Sequence, residues 1–397
     1  MKNELLFELE TRGFINQTSN LDGLNDALNA GKISAYFGAD PTADSLHVGH
    51  IVPVLMMRWF QRHGHRPIML VGGATGRIGD PSGRDSARPM LSDEDIKRNS
   101  EGLQRSYSKF IKFGNGPSDA IMADNYDWMK SIPHMEFLRN FGPDFTVPRM
   151  LSMESVKKRL ENGMSLLEFE YMTLQAVDFL ELFKKYGCIL QLCGSDQWGN
   201  SIMGIELIRK KLAKEAFVMS TSLITDSSGR KIGKSENNAA WVDERKTPPF
   251  EFFQYFRNTP DDLVDKFLKI YTDIPLPEIA KLYGLQGAEL NDAKKILAFE
   301  ATKITHGEAA AREAAEAADA MFGGGAAASG VPKVRVNAKL PMGALDFAML
   351  SGLFASKSEA RRTIEQGGLS IDGVRVSGPD IVVLPAASLL VQKGKKT

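Results

Sequence analysis

The sequence predicts an α/β fold: a doubly wound parallel sheet, followed by an all-helical segment and a small α+β unit at the C-terminal end. Three observations carry this expectation. From Ile33 onward short apolar runs alternate with helix-length amphipathic segments, and after Pro248 the strand-like runs stop. A stretch rich in Gly and Ala, Phe322–Gly330, then sets apart a last compact unit. At 397 residues the chain exceeds what one hydrophobic core usually serves, so two or three domains are expected.

The elements follow in order. Residues 1–30 read as helical, and the candidate strands are Ile33–Gly38, Pro67–Gly73, Ala120–Ala123 and Cys188–Gly194. Candidate helices between them span His50–Gln61, Asp93–Ile111, Ser152–Leu160, Ser165–Tyr186 and Asp196–Leu212. In a sheet of this kind ligands sit beyond the carboxyl ends of the strands, where Asp40, Thr75 to Asp80 and Gly194 to Asp196 all fall. Past Pro248 helices are predicted over Phe250–Arg257, Asp261–Tyr271, Leu276–Tyr283 and Asn291–Met321. In the last unit Ser356-Lys-Ser-Glu359 is a capping box that opens a helix carrying Arg361 and Arg362 and ending at Gly367-Gly368. Two apolar runs flank Asp372-Gly373, a strong signal for a two-residue hairpin. The expected division is therefore residues 1–246, 247–322, a linker over 323–336, and 337–397.

Lys plus Arg and Asp plus Glu number 49 each, so there is no net field. Residues 331–397, however, hold ten basic residues against five acidic ones, which leaves the rest of the chain acidic by the same margin. A basic module on an acidic body points to an anionic polymer as partner. The N-terminal stretch interleaves acids with apolar residues, unlike a signal peptide, and no run of 18 apolar residues occurs. Cys188 and Cys193 are placed too poorly to bridge and read as buried thiols. A cytoplasmic protein with no membrane association is the expectation.

The most informative segment runs from Tyr36 to His50. It breaks from strand at Asp40-Pro41 and restarts as helix after His47-Val48-Gly49-His50. Gly49 lets a ligand approach the backbone, the helix start offers unpaired N–H groups, and two imidazoles can donate to phosphate oxygens. ATP is the natural candidate. As metal ligands His47 and His50 would lack an obvious third, since His63, His65, His134 and His306 lie elsewhere. A second polar loop, Ser228-Gly-Arg-Lys-Ile-Gly-Lys-Ser235, carries Lys231 and Lys234 three apart. By itself it reads as a solvated loop; paired with the histidines it reads as the other half of a phosphate site.

These two motifs together resemble the pair that marks class I aminoacyl-tRNA synthetases. Within that class the chain is similar to the tyrosyl-tRNA synthetase family from about Phe7 to the end. The similarity rests on the blocks Val71–Gly83, Asn125-Tyr-Asp-Trp128, Glu170–Phe179 and Gly194-Ser-Asp-Gln-Trp-Gly-Asn200. The resemblance implies a Rossmann-type catalytic domain, a helical anticodon-binding domain and an S4-like RNA-binding domain. It also implies that Tyr36 and Asp178 hold the hydroxyl of L-tyrosine, that Tyr171, Gln175 and Asp80 hold its ammonium group, and that Gln197 lies beside its carboxylate.

On the nucleotide side the resemblance implies that Gly38, Asp40, Gly194 and Asp196 surround the adenosine. Thr42, His47, Gly49, His50, Lys231 and Lys234 would surround the phosphates, with Mg2+ accompanying ATP. Arg361 and Arg362 would touch tRNA(Tyr), and a homodimer is expected. The spacing agrees independently for one trio, because Tyr171, Gln175 and Asp178, at i, i+4 and i+7, project from one helix face. No inserted segment reads as an editing domain. The chain departs from the family pattern at Phe37 and Ala39, where the family has a small and a bulky residue respectively; an aromatic ring turned toward the nucleotide ribose is the expectation.

Two other classes were open. Cytidylyltransferase-type enzymes share His-x-Gly-His but have no Lys-x-x-Lys-Ser loop and no need of a basic tail. A non-catalytic RNA-binding relative would have lost His47, His50, Lys231 or Lys234, and all four are present.

Overall fold

The computed structural model describes residues 2–82, 90–222, 240–282, 284–322, 341–385, 389 and 391–394. Six strands form the main sheet: β1 (Ile15–Thr18), β2 (Ser34–Ala39), β3 (Arg66–Val71), β4 (Ile121–Asp124), β5 (Cys188–Gly194) and β6 (Phe217–Thr221). Their order is β1-β6-β5-β2-β3-β4, and every pair is parallel except β1 against β6. The chain runs outward from β2 through β3 to β4, then returns to the other side of β2 as β5. The crevice where this direction reverses lies beyond the carboxyl ends of β2 and β5, and it is where such sheets bind ligands.

Four of these strands lie within two residues of their predicted bounds. β1 and β6 correct the prediction: residues 1–30 are two helices, Glu4–Thr11 and Leu21–Ala30, separated by Gly13 (φ 79°) and an edge strand. β1 reads Ile-Asn-Gln-Thr, whose polar outward residues give no strand signal by themselves; its pairing to the fully buried β6 creates it. The predicted helix Asn291–Met321 is two helices, Gly287–His306 and Glu308–Phe322, broken at Gly307 (φ 90°). Between Ala123 and Ser152, where no element is predicted, three short helices form: Tyr126–Met129, His134–Phe141 and Val147–Leu151.

Alternate residues of β2 face opposite cores. Tyr36 joins Ile68, Val177 and Phe179 on one face; Phe37 joins Val54, Phe60 and Met69 on the other. The second core continues into the helical segment through Phe252, Phe256, Phe267 and Leu297. Buried Arg12 fastens this junction, donating to the carbonyls of Lys269, Thr272 and Ile274 while stacking on Trp59. Tyr271 Oη donates to Val48 O at 3.1 Å.

The C-terminal unit has its own core of Phe347, Phe354, Ile364 and Leu369. Ser356 caps the helix Lys357–Glu365 by accepting from Glu359 N, but the Glu359 carboxylate returns to Ala355 N rather than Ser356 N, so only half the predicted box closes. The hairpin forms as predicted: Leu369–Ile371 pairs with Val374–Arg375 across Asp372 (φ 48°) and Gly373 (φ 77°), the left-handed pair that a type I′ turn requires.

Candidate functional site

The carboxyl ends of β5, β2, β3 and β4 place four clusters side by side. After β2 comes Asp40, after β3 Thr75, after β4 Asn125 and Trp128, and after β5 the turn Ser195–Gln197. The helix Leu166–Tyr186 crosses beneath them, held in register by a complete capping box between Ser165 and Glu168. On it Tyr171 donates to Asp40, Gln175 accepts from Asn200, and Asp178 accepts from Asn125 and Trp128.

Asp178 is buried, and its two carboxylate oxygens accept from Asn125 Nδ2 and Trp128 Nε1, each at 2.9 Å. Burial pushes its pKa up to about 7 despite these two donors. Tyr36 is equally buried, packs against Phe179 at 5.2 Å, and its hydroxyl has no hydrogen-bond partner among the described residues. Burial, with the charge of Asp178 adding to it, raises the Tyr36 pKa well above its ordinary value, so the group is a neutral O–H. A buried hydroxyl left without a partner costs about 1–3 kcal/mol, a cost a bound hydrogen-bonding group would remove.

Asp40 is the hub of the adjoining network. It accepts from Thr75 Oγ1 at 2.7 Å and from Tyr171 Oη at 2.9 Å, and Asn125 Nδ2 joins Thr75 to Asp178. Tyr171 and Asp40, expected on the tyrosine and nucleotide sides respectively, therefore touch. A Cβ on Gly72 would overlap the Asp40 carboxylate, so the backbone there must stay bare. Asp80 accepts from Ser82 N at 2.9 Å and Gln197 Nε2 at 2.7 Å, while Asn200 Nδ2 contacts both Gln175 Oε1 and Gln197 Oε1 at 3.2 Å.

His47 is buried at the start of the helix Ile51–Arg62, and its Nδ1 accepts from Gly49 N at 3.1 Å. This fixes the proton on Nε2. Burial lowers its pKa to about 4, so the ring is neutral near pH 7. The His50 ring stacks on it at 3.6 Å, and His50, at the helix N-cap, makes no side-chain cap bond. Thr42 is exposed on the loop and its amide donates to Asp40 O. Asp196 lies half-buried in the turn after β5; a Cβ on Gly194 would meet its Oδ1 at 2.7 Å. Gly38 lies against Leu70 across the β2–β3 pair. Lys231 and Lys234 lie outside the described residues, but the chain returns at Ala240–Val242 directly onto the histidine segment, through Val48 N to Ala240 O and Val242 N to Leu46 O. Arg361 and Arg362 are exposed on their own helix in the C-terminal unit.

Phe37 does not turn toward the ligand crevice. It is a core residue, edge-on to Tyr107 at 6.5 Å, and Ala39 packs against the same core, so the exchange of large and small residues is a local repacking. Thr75, expected beyond the end of β3, and Asn125, Trp128 and Asn200, within blocks of the family resemblance, had no role assigned from the sequence. Their signal was position: Thr75 and Asn125 follow the ends of adjacent strands.

Burial also sets the chain's response to acid. His47, His65 and His306 all have pKa values lowered to about 4 by burial, so each contributes stability above pH 6.5 that is lost as pH falls toward 4. Asp178, raised, works in the opposite sense: its share is present below the ordinary carboxylate range and lost as pH rises through about 7. Asp124 and Glu251, also raised by burial, act in the same sense as Asp178. With the three histidines titrating across the whole interval, the melting temperature is expected to fall between pH 6.5 and 4 in a scanning fluorimetry series, and a flat profile would contradict this assignment.

The model of the tRNA synthetases class I (W and Y) matches residues 28–323, well over half of the chain, which makes it a class I synthetase. The tyrosine–tRNA ligase of Clostridium tetani is 45% identical over 402 aligned residues, covering 100% of this chain and 98% of the relative. That of Zymomonas mobilis is 46% identical over 398 residues, covering 100% and 97%. A solved C-terminally truncated mitochondrial tyrosyl-tRNA synthetase from Aspergillus nidulans superposes with a TM-score of 0.71 at 30% identity, covering 79% of this chain and 93% of that one. The chain belongs to the tyrosyl-tRNA synthetase family.

Proposed function

We propose that the pocket between Tyr36 and Asp178 holds the phenol of L-tyrosine and that the His47–His50 segment holds the phosphates of ATP, so that the chain performs the two steps of a tyrosine–tRNA ligase. Tyrosine is first activated to tyrosyl-adenylate with release of pyrophosphate, then transferred to the 3′-terminal ribose of tRNA(Tyr). The observation that carries this reading is the buried, unpartnered Tyr36 hydroxyl beside the buried Asp178 carboxylate. A phenol completes both: its O–H donates to Asp178 and its oxygen accepts from Tyr36. Tyr171, Asp80 and Gln175 take the ammonium group, with Gln197 beside the carboxylate.

The tyrosine carboxylate is already nucleophilic, so its in-line attack on the α-phosphorus needs no general base. The residues act by placing donors where charge grows. The helix start at Ile51 and His47 Nε2–H face that charge, and Thr42, His50, Lys231 and Lys234 complete the set. Gly38, Asp40, Gly49, Gly194 and Asp196 form the nucleotide's bed. The substrate is the magnesium complex of ATP, whose ion is held mainly by phosphates and water and neutralises their charge. Tyrosine-dependent ATP–pyrophosphate exchange against a panel of amino acids tests the first step; absence of exchange with tyrosine would refute it.

The helical segment 247–322 and the basic module 337–397 are the proposed tRNA-binding parts, with Arg361 and Arg362 on phosphates. Removing residues 337–397 is expected to leave pyrophosphate exchange within about twofold and to lower tRNA charging by tenfold or more, as salt-dependent phosphate contacts are lost. Equal losses in both assays would make the module structural. A homodimer would cover exposed apolar side chains such as Met135, Val147, Leu166 and Leu167. Leu166→Glu is expected to halve the mass seen by sedimentation; an unchanged mass would place the interface elsewhere. The buried free thiols Cys188 and Cys193 suit a reducing, cytoplasmic setting, and no helix among the described residues is long and apolar enough to cross a membrane.

A further inference from the structure

Leu46–Val48 and Ala240–Val242 form a short antiparallel ladder with His47 opposite Trp241. The two bonds of this ladder, Val48 N to Ala240 O at 2.9 Å and Val242 N to Leu46 O at 2.8 Å, flank the His47–Trp241 pair rather than join it. That makes it a non-hydrogen-bonded pair, the register in which opposed side chains share one face at the closest cross-strand spacing. The two rings accordingly meet at right angles, 84° apart with centroids 5.5 Å apart.

Trp241 is itself held by two contacts, one of them anchored in turn. Its amide donates to Thr247 Oγ1 at 2.9 Å, the Lys246 ammonium lies 4.7 Å from its ring centroid, and Lys246 is tied to Asp44 on the loop before the histidines. His47 is thus bounded by the stacked His50 ring and the Trp241 indole, with Nδ1 tied to Gly49 N. The Nε2–H direction is the one freedom that matters for phosphate, and the indole limits it.

We infer that Trp241 is a positioning residue for tyrosine activation, acting through His47 by fixing the plane in which its Nε2–H meets the developing charge on the phosphates. This rests on the reading of His47 as a phosphate donor. Among the described residues no hydrogen bond or ring contact joins Trp241 to Tyr36, Asp178 or Asp80, so its effect is expected on turnover and not on tyrosine binding.

The experiment is a double-mutant cycle in the full-length chain, read by pyrophosphate exchange and by equilibrium binding of tyrosine. Trp241→Ala is expected to lower kcat about tenfold or more, since misplacing a reacting group by an ångström can cost 10²-fold, with the tyrosine Kd unchanged. Trp241→Phe, which keeps an aromatic edge, is expected to recover most of the rate and guards against a folding defect. In the His47→Ala background the same Trp241→Ala change is expected to cost less than about twofold. Equal losses in both backgrounds, or no loss in either, would overturn the inference. An inactive phenotype with a weakened tyrosine Kd would do the same, since it would show a general structural role. If His47→Ala alone leaves exchange unaffected, the phosphate reading of His47 itself fails, and that result is separate from the other two.

Discussion

Replacing Asp178 by asparagine is expected to reduce kcat/KM for tyrosine by about 10²-fold or more while leaving the residual activation of phenylalanine nearly unchanged. The carboxylate oxygens accept from Asn125 and Trp128, and an amide of the same shape turns an NH2 group toward one of those donors. On the proposed reading, the phenol O–H of bound tyrosine would then keep no acceptor of comparable strength. Breaking one side of a buried hydrogen-bonded charge costs about 2–5 kcal/mol, which sets the size of the loss. Phenylalanine never used the carboxylate, so discrimination between the two amino acids collapses. Rejection of phenylalanine by tyrosyl-tRNA synthetases is itself the standing illustration of how a buried polar site excludes the analogue lacking a hydroxyl. Because Asp178 ionises near pH 7 in the unliganded site, KM for tyrosine should fall as pH rises from 6 to 8, and this slope should vanish in Asp178→Asn. Exchange assays with both amino acids across that range check both statements.

His47→Ala is the second large effect. On the proposed reading His47 donates to charge growing on the phosphates; removing one such donor commonly costs 10²–10³-fold in kcat, and the Gly49 amide fixes the His47 tautomer. The loss should appear in kcat, with KM for tyrosine preserved, because His47 lies outside the Tyr36–Asp178 pocket. Its pKa of about 4 also fixes the pH behaviour: the wild-type rate should show no His47 titration between pH 5.5 and 8. A single-turnover measurement of adenylate formation, which separates chemistry from binding, is the direct check.

Much of this site was legible in the chain because its chemistry follows strand ends and helix periodicity. Asp40 and Gly194 mark the carboxyl ends of β2 and β5, and Tyr171, Gln175 and Asp178 share a helix face by spacing alone. What the sequence did not show depends on contacts between distant segments. The sequence marks Asn125 by a family block and a strand end but not its role: it is fully buried and links Thr75 to Asp178 across some fifty residues in each direction. Trp241 reads as an ordinary aromatic until its ladder with His47 forms. β1 is a polar edge strand that exists only by pairing with β6, and Phe37 looked like a ligand contact only because the direction of its side chain depends on which face of the sheet meets the core.

The central claim is that a buried carboxylate and an unpartnered hydroxyl await one phenol. It is tested most directly by a crystal structure of the full chain with a non-hydrolysable tyrosyl-adenylate analogue. The phenolic oxygen is expected within about 2.5–3.0 Å of both Asp178 and Tyr36 Oη, with the α-phosphate at the helix start beside His47. A phenol ring bound elsewhere, or a Tyr36 hydroxyl still without a partner in that complex, would contradict it.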